Sequence, residues 1–207
     1  MKAHDGGVLG LLYFSDGSGI VSCGCGASKL TVWSNSLSIV QDLTKEHQMR
    51  SSVHCFAISP TSLNIVSGRS DGVDIWSKVE SRWERVNVVK NHPHLSIAVC
   101  CVCISPDGKG LATGNIDMSV SVYDFNAGGG DVNLIRRVEG YFASIVRTLS
   151  YSPNSEQLCS GGNDQAIQIW SSVDGSLVKK FQAESWVTSV VFSPNGRILV
   201  GAGNDNK

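Results

Sequence analysis

The sequence lacks several features that would point to a chemistry or a compartment. It has no excess of charge: 17 Lys and Arg stand against 18 Asp and Glu, a net charge of −1 at pH 7. That balance offers no bulk attraction to nucleic acid or to an anionic membrane. Charged residues make up 17% of the chain, below the usual quarter. No uncharged apolar run approaches the roughly 20 residues of a membrane span. The opening residues, MKAHDGGVLGLLYF, hold no long apolar core and no small-residue cleavage site, so no secretion signal is read there. The 7 cysteines are an odd number, and without a secretion signal they read as reduced thiols in the cytosol or nucleus. No stretch shows a sustained helical period. What is present is a hydrophobic share of 42%, enough for a real core.

The apolar residues are arranged as a repeat. A Ser followed by Pro or Asp opens a short polar turn at Ser15, Ser59, Ser105, Ser152 and Ser193. At a fixed distance beyond each Ser sits a small side chain: Cys23, Ser67, Thr113, Ser160 and Gly201. An aromatic follows at Trp33, Trp76, Tyr123 and Trp170. His4, His47 and His92 stand ahead of the first three units, with Tyr141 and Glu184 in that place in the last two. Within a unit the periodicity is that of strands, as in 53–58 and 187–192. The turns use Asp, Asn, Gly and Ser, which suit hairpins. A second strand, a third ending on the aromatic, and a weaker fourth follow; the fourth is expected over 39–43, 86–89, 134–138 and 177–181. Four strands in roughly 40–45 residues is the pattern of a propeller blade. The fold class is therefore all-β, with blades of four antiparallel strands in a single domain, 1–207. The units span 4–46, 47–91, 92–140 and 141–183, with a partial one over 184–207.

These markers resemble the WD40-repeat family from end to end of the chain. The dipeptide that names the family is degenerate here: Trp33-Ser34, Trp76-Ser77, Tyr123-Asp124 and Trp170-Ser171. The resemblance implies WD40-type blades and a non-catalytic protein–protein interaction scaffold that assembles multiprotein complexes. Propellers have about four to eight blades. Four units and half of a fifth are thus expected to form an incomplete or open ring, its remaining blades coming from absent sequence or from another chain. The alternative is a peptide or modified-peptide reader such as a ubiquitin-ligase substrate receptor. Receptors of one ligase class carry Trp-Asp-x-Arg at the end of the third strand, and none of the four runs here has the Arg.

The resemblance also implies a polar network of His, Ser or Thr, Asp and Trp across each blade. The matching residues are His47, Ser67, Asp71 and Trp76 in the second unit. The third offers His92, Thr113 and Asp117, with Tyr123 replacing Trp; the fourth offers Ser160, Asp164 and Trp170, with Tyr141 replacing His. The first has His4 and Trp33, but Cys23 and Ala27 at the other two places, and the fifth keeps only Asp205. Ser, His and Asp together also suggest a hydrolase. The set recurs from unit to unit, however, whereas a triad is needed once, and its hydroxyl lies within a strand instead of on a nucleophile elbow. No catalytic residue is assigned.

Cys100, Cys101 and Cys103 have metal-like spacing, but neighbours in a strand point to opposite faces, so Cys100 and Cys101 converge on one ion only if the strand bulges. Cys23 and Cys25 form a second thin pair. In the repeat register Cys101 falls with Cys55, Thr148 and Ser189, which reads as small core residues. Neither a metal nor a cofactor is expected. Gly128–Gly130 lacks the Lys-Ser/Thr of a phosphate loop and reads as a connection. Arg136-Arg137 and Lys179-Lys180 fall on outer strands without interleaved aromatics, which argues against nucleic acid.

Binding in a propeller sits on loops at the faces. The resemblance puts the loop before the first strand and the loop after the second on one face. Arg69, Phe142, Arg147, Trp186 and His54 are the candidate partner-binding residues there, because aromatics and Arg dominate interface energetics. Trp186 and Phe142 either meet a partner or cover the blade ends. Trp83, in the charged run 78–85, is a lesser candidate for a second surface. The partners expected are proteins or peptides on the loop face, with no membrane, in the cytoplasm or nucleus.

Overall fold

A computed structural model describes residues 4, 6–24, 29–46, 52–90, 96–126 and 131–205. The first sheet holds β1 (Val8–Tyr13), β2 (Gly19–Gly24), β3 (Leu30–Ser34) and β4 (Ile39–Asp42), followed by one helical turn, Leu43–Glu46. The second holds β5 (Val53–Ile58), β6 (Asn64–Arg69), β7 (Gly72–Val79) and β8 (Arg82–Val89). The third holds β9 (Val99–Ile104), β10 (Gly110–Asn115), β11 (Val120–Asn126) and β12 (Asp131–Val138). The fourth holds β13 (Val146–Tyr151), β14 (Gln157–Gly162), β15 (Ala166–Ser171) and β16 (Leu177–Gln182). β17 (Val187–Phe192) and β18 (Leu199–Gly203) form a two-stranded sheet. Pairing is antiparallel, and strand order follows the chain in every sheet. The first strands neighbour one another in chain order. The sheets therefore radiate as blades from an axis lined by first strands.

The recurring Ser organises the hairpin between first and second strands. Ser105, Ser152 and Ser193 each donate the hydroxyl to the Asp or Asn two residues on, and accept the backbone N–H that starts the second strand. In the first blade that place belongs to Phe14, whose N–H donates to Gly19 O (3.0 Å) as Ser105 N–H does to Gly110 O (2.8 Å). Ser15 is thus one residue beyond the repeat register, and so is Cys23. The hydroxyl position of this blade is Ser22, which lies opposite Thr31 as Ser67 lies opposite Asp74.

The fourth strands β8 and β12 start earlier than expected. Glu80 adopts a positive φ of 54° in the tight turn after β7, so pairing runs out to Val79 and Arg82. Alternation along β8 then turns Trp83 inward and leaves Arg82 and Glu84 outward. Trp83 stacks on Phe14 with ring centroids 5.0 Å apart. The Gln41 side-chain amide donates to Trp83 O (2.8 Å) and accepts from Trp83 N–H (2.7 Å), like a strand edge. Trp83 is therefore a seam between the first two blades and is not on the surface expected for it.

Blades meet through the leading Val of each first strand. Val53, Val99, Val146 and Val187 are all buried to 2% exposure or less. Val99, Val146 and Val187 sit over Gly68, Gly114 and Gly161 of the preceding blade, where a Cβ would stand 2.7, 2.7 and 2.5 Å from the Val Cγ1. The sequence meets a packing need at these three positions, since only a bare backbone admits the neighbouring blade so closely.

Candidate partner-binding face

Behind the face, each complete blade carries an internal polar column. Trp33, Trp76 and Trp170 each donate Nε1–H to a buried hydroxyl: Ser22 Oγ (2.7 Å), Ser67 Oγ (2.9 Å) and Ser160 Oγ (2.9 Å). His4 Nε2 lies 2.8 Å from the same Ser22 Oγ, so the His–Ser–Trp set is assembled in the first blade. His47 and His92 lie outside the described residues. Tyr123 is buried; burial pushes its phenol up, and hydrogen bonding to Ser121 and Thr113 pulls it back. A second buried polar position, Thr31, Asp74, Ser121 and Gln168, stands directly opposite the hydroxyl on the third strand.

The acids of the column take different partners from blade to blade. Asp117 accepts from Ser119 Oγ (2.6 Å) and pairs with Arg137, which also pairs with Glu139. Arg137 is thereby drawn into the blade. Asp164 accepts from the backbone N–H of Ala166 (3.3 Å) and from Gln168 Nε2 (3.5 Å), and the same Gln168 amide donates to Tyr141 O (3.3 Å). In the second blade Asp71 is a peripheral partner of Arg69, at 3.3 Å. The buried acid there is Asp74, 3.0 Å from Arg69 Nε and 3.8 Å from Arg85 Nη1.

Burial pushes the Asp74 carboxyl from 3.8 up to about 6, with Arg69 and Arg85 pulling it back. A carboxyl raised on folding contributes stability that is complete below its unfolded value and is lost as pH rises through the folded value. Asp74→Asn keeps the shape and removes the titration. The stability of the wild type relative to this variant is expected to fall by about 2–3 kcal/mol between pH 4 and pH 7.5, read by urea unfolding at each pH.

The strand does bulge at Cys100, so side-chain alternation is not what separates the three thiols. Cys101 Sγ lies 3.6 Å from Val146 O, a contact to the next blade that Cys55 repeats to Val99 O at 3.9 Å. Burial pushes the Cys55, Cys101 and Cys103 thiols up, and that of Cys159 up to about 12. Such thiols carry little thiolate for nucleophilic or metal chemistry. Among the described residues, no three His, Cys, Asp or Glu side chains come together as metal ligands.

The face itself is built by the bulges. Every first strand slips register just after its leading Val, which leaves one extra residue: Leu9, His54, Cys100, Arg147 or Thr188. A bulge re-aims its side chain and is a common device beside binding sites. His54 Nε2 meets Ser70 Oγ at 3.0 Å, Arg147 Nε donates to Asn163 Oδ1 at 2.7 Å, and Thr188 Oγ1 donates to Ala202 O at 3.2 Å. In the third, fourth and fifth blades the turn after the second strand closes onto the residue ahead of the first: Ile116 N–H to Ala98 O, Asn163 N–H to Ile145 O, and Asn204 N–H to Trp186 O. In these blades three positions are thus gathered at one end of the axis.

Of the five expected partner-binding residues, His54, Arg147 and Trp186 are exposed on this face, Trp186 at 46%. Phe142 is buried against Trp170, with ring centroids 5.3 Å apart, and caps its blade. Arg69 is buried in the ion-pair cluster with Asp71 and Asp74. Ile116, Met118 and Tyr141 add exposed apolar surface on the same set of loops. Met118 adopts a positive φ of 64° in the tight turn after β10, as Gln165 does (60°) in the equivalent turn after β14, which no residue pattern announces.

Four-stranded antiparallel blades with their first strands around a common axis define the chain as a β-propeller segment. The pattern of the WD domain, G-beta repeat, matches residues 83–124, 132–171 and 175–207, together more than half of the chain, and the chain belongs to the WD40 family. The first two matched segments begin on the outer strand of one blade and end on the third strand of the next. The chain is 25% identical to cilia- and flagella-associated protein 52 of Sus scrofa, over 99% of this chain and 32% of that protein. It is 24% identical to the Homo sapiens protein of the same name, over 99% and 32%. It is 26% identical to protein groucho of Drosophila melanogaster, over 87% and 23%. The chain spans about a third of the length of the first of these relatives. Among the described residues, no helix is long and apolar enough to cross a membrane.

Proposed function

We propose that this chain is a non-catalytic interaction platform, one domain over 1–207, that holds a protein or peptide partner on its bulge-lined face in the cytosol or nucleus. The observation that carries this reading is the alignment of the five bulges, which present His54, Arg147 and Thr188 from the second, fourth and fifth blades, with the exposed indole of Trp186 just ahead of the fifth blade's first strand. The hydrogen-bonded columns behind the face keep it preorganised, which lowers the cost of binding. Arg147 supplies a charged, planar donor fork for a carboxylate or a carbonyl, and Trp186 supplies apolar area. The names of the relatives describe those proteins; the scaffold reading rests on membership of the repeat family and on this surface.

The test is affinity purification with the folded chain and with Arg147→Ala and Trp186→Ala. Each substitution is expected to reduce retention of a given partner at least ~10-fold, the effect of a hot-spot truncation, with an unchanged circular dichroism spectrum. Equal retention by the wild type and both variants would sink the proposal.

A further inference from the structure

The seam between the first two blades is open where the later seams are closed. In the later ones the hairpin turns of neighbouring blades touch. Thr61 Oγ1 of the second blade lies over Gly108 of the third, Asp107 N–H donates to Ser155 Oγ (3.2 Å), and Pro153 Cδ stands 3.5 Å from where a Cβ of Gly196 would be. The turn of the first blade is tied back to its own blade instead. Asn35 Nδ2 donates to Gly17 O (2.7 Å), and a Cβ at Gly17 would meet nothing within 4 Å. The result is a cleft of about 250 Å³ between two complete blades, at the end of the axis opposite the bulges. Its floor is the stacked pair Phe14 and Trp83, with Val32 beside them. Phe14 is there because it heads the turn in place of the usual Ser. The outer strand β4 slips register between its partners Val32 and Trp33, which leaves Val40 as an extra residue, 51% exposed, in the wall of the cleft. From the second blade, the long β7–β8 hairpin brings Lys78, Glu80 and Ser81 to the rim.

We infer that this cleft is a second docking site, which takes a short peptide segment of a partner protein. The peptide seats an aliphatic or aromatic side chain against Phe14, Trp83 and Val40 and places a Lys or Arg beside it at Glu80. The volume is below the ~300–1,000 Å³ of small-molecule sites, which suits one or two side chains better than a whole ligand. The Ser18 and Ser81 hydroxyls at the rim can donate to or accept from a peptide backbone. Charge at the rim selects the neighbouring residue. Lys78 is already offset by Asp16, whose carboxyl is held below its ordinary value by hydrogen bonds from Ser18 and by the Lys78 ammonium. Among the described residues Glu80 forms no ion pair, so one acid is left for a cation on the peptide. Both walls belong to complete blades, so the opening of the cleft does not depend on what adjoins the chain.

Selection of a phage-displayed random peptide library on the folded chain tests this. It is expected to enrich sequences with an aliphatic or aromatic residue next to Lys or Arg. A fluorescein-labelled synthetic peptide of the enriched sequence is then titrated by fluorescence anisotropy. Val40→Asp is expected to weaken its binding at least ~10-fold, the effect of losing an anchor contact. Glu80→Lys is expected to weaken it similarly and, when used as the bait, to enrich Asp or Glu at the place of the basic residue. Both side chains are exposed, and Lys at position 80 bears the positive φ as Glu80 does; Val40→Gln is the substitute should Val40→Asp misfold. Arg147→Ala, on the opposite face, is expected to leave this binding unchanged, so failure here is distinguishable from failure of the platform proposed above. No enrichment of peptides overturns the inference. So does binding that survives both Val40→Asp and Glu80→Lys, an unchanged consensus on the Glu80→Lys bait, or binding that only Arg147→Ala abolishes.

Discussion

Replacing Trp76 with Ala is expected to lower the unfolding free energy by about 3–5 kcal/mol, the range for deleting a large buried aromatic. Trp76 is fully buried and packs in one cluster with Phe14, Leu43, Val53 and Trp83, which come from both of the first two blades. Its loss therefore opens the seam between blades as well as the interior of one. The indole also donates to Ser67 Oγ at 2.9 Å. Trp76→Phe keeps much of the volume and removes that donor, and Ser67→Ala removes the acceptor and strands a buried N–H. Each of these is expected to cost about 1–3 kcal/mol. The double variant is expected to cost less than the sum of the two, because neither partner is then left unpaired. Equilibrium urea unfolding of the four proteins measures the cycle. Strict additivity would show that the hydrogen bond contributes no coupling, and a loss below ~1 kcal/mol for Trp76→Ala would show that the site collapses without forming a cavity.

The blades were legible because each rests on side-chain types that only a strand hairpin of that length employs. Ser105 with Asp107, Ser152 with Asn154 and Ser193 with Asn195 are turn chemistry written in adjacent residues. Trp33 and Trp170 stand one residue before the ends of their third strands, whereas β7 runs past Trp76 to Val79. Phe14 shows where this reading slips: an aromatic can head the same backbone turn, and the Ser15-Asp16 pair just behind it imitates the marker one residue late. Asp74 and Gln168 were missed for a different reason. Each is polar and stands two residues before its aromatic, as Thr31 and Ser121 do, but their burial follows from pairing opposite Ser67 and Ser160. Linear alternation does not carry that register. Arg69 looked like a loop residue beside Ser70, yet β6 extends through it, and the buried Asp74 draws its guanidinium inward. The bulge residues are the hardest to read, because an inserted residue leaves no trace in the composition of a strand. His54 and Arg147 attract notice as polar groups within apolar runs, whereas Leu9 and Cys100 at the same place do not.

Gly114→Val is expected to destabilise the chain by about 3 kcal/mol or more, at the upper end of overpacking effects, and Gly114→Ala by about 1–3 kcal/mol. A Cβ at Gly114 would stand 2.5 Å from Cys101 Sγ of the same blade, and 2.7 Å from Cγ1 and 3.0 Å from Cβ of Val146, which is itself buried at the start of β13. The sign of the Ala result is informative. Glycine in a strand interior is conformationally costly, so with free space above it Ala would stabilise the fold by about 0.4–1 kcal/mol through the unfolded state. Destabilisation therefore measures how closely Cys101 of the same blade and Val146 of the next together cover Gly114. Val146→Ala alone is expected to cost about 2 kcal/mol for the cavity it leaves. Combined with Gly114→Ala it is expected to cost less than the two singles together, since the new methyl enters the space that the lost ones vacate. Thermal and urea unfolding of the single and double variants provide the comparison. If the double variant showed no such relief, the strain on a Cβ at Gly114 would come from Cys101 Sγ within the same blade and not from Val146. Cys23 sets the limit of the argument: at the equivalent place between the first two blades, a thiol is accommodated with its Sγ 3.9 Å from Val53 O. At Gly161 the nearest atom to an added Cβ is Val187 Cγ1 of the next blade, at 2.5 Å, so there the same substitution loads the seam itself, and its relief by Val187→Ala is expected to be the larger.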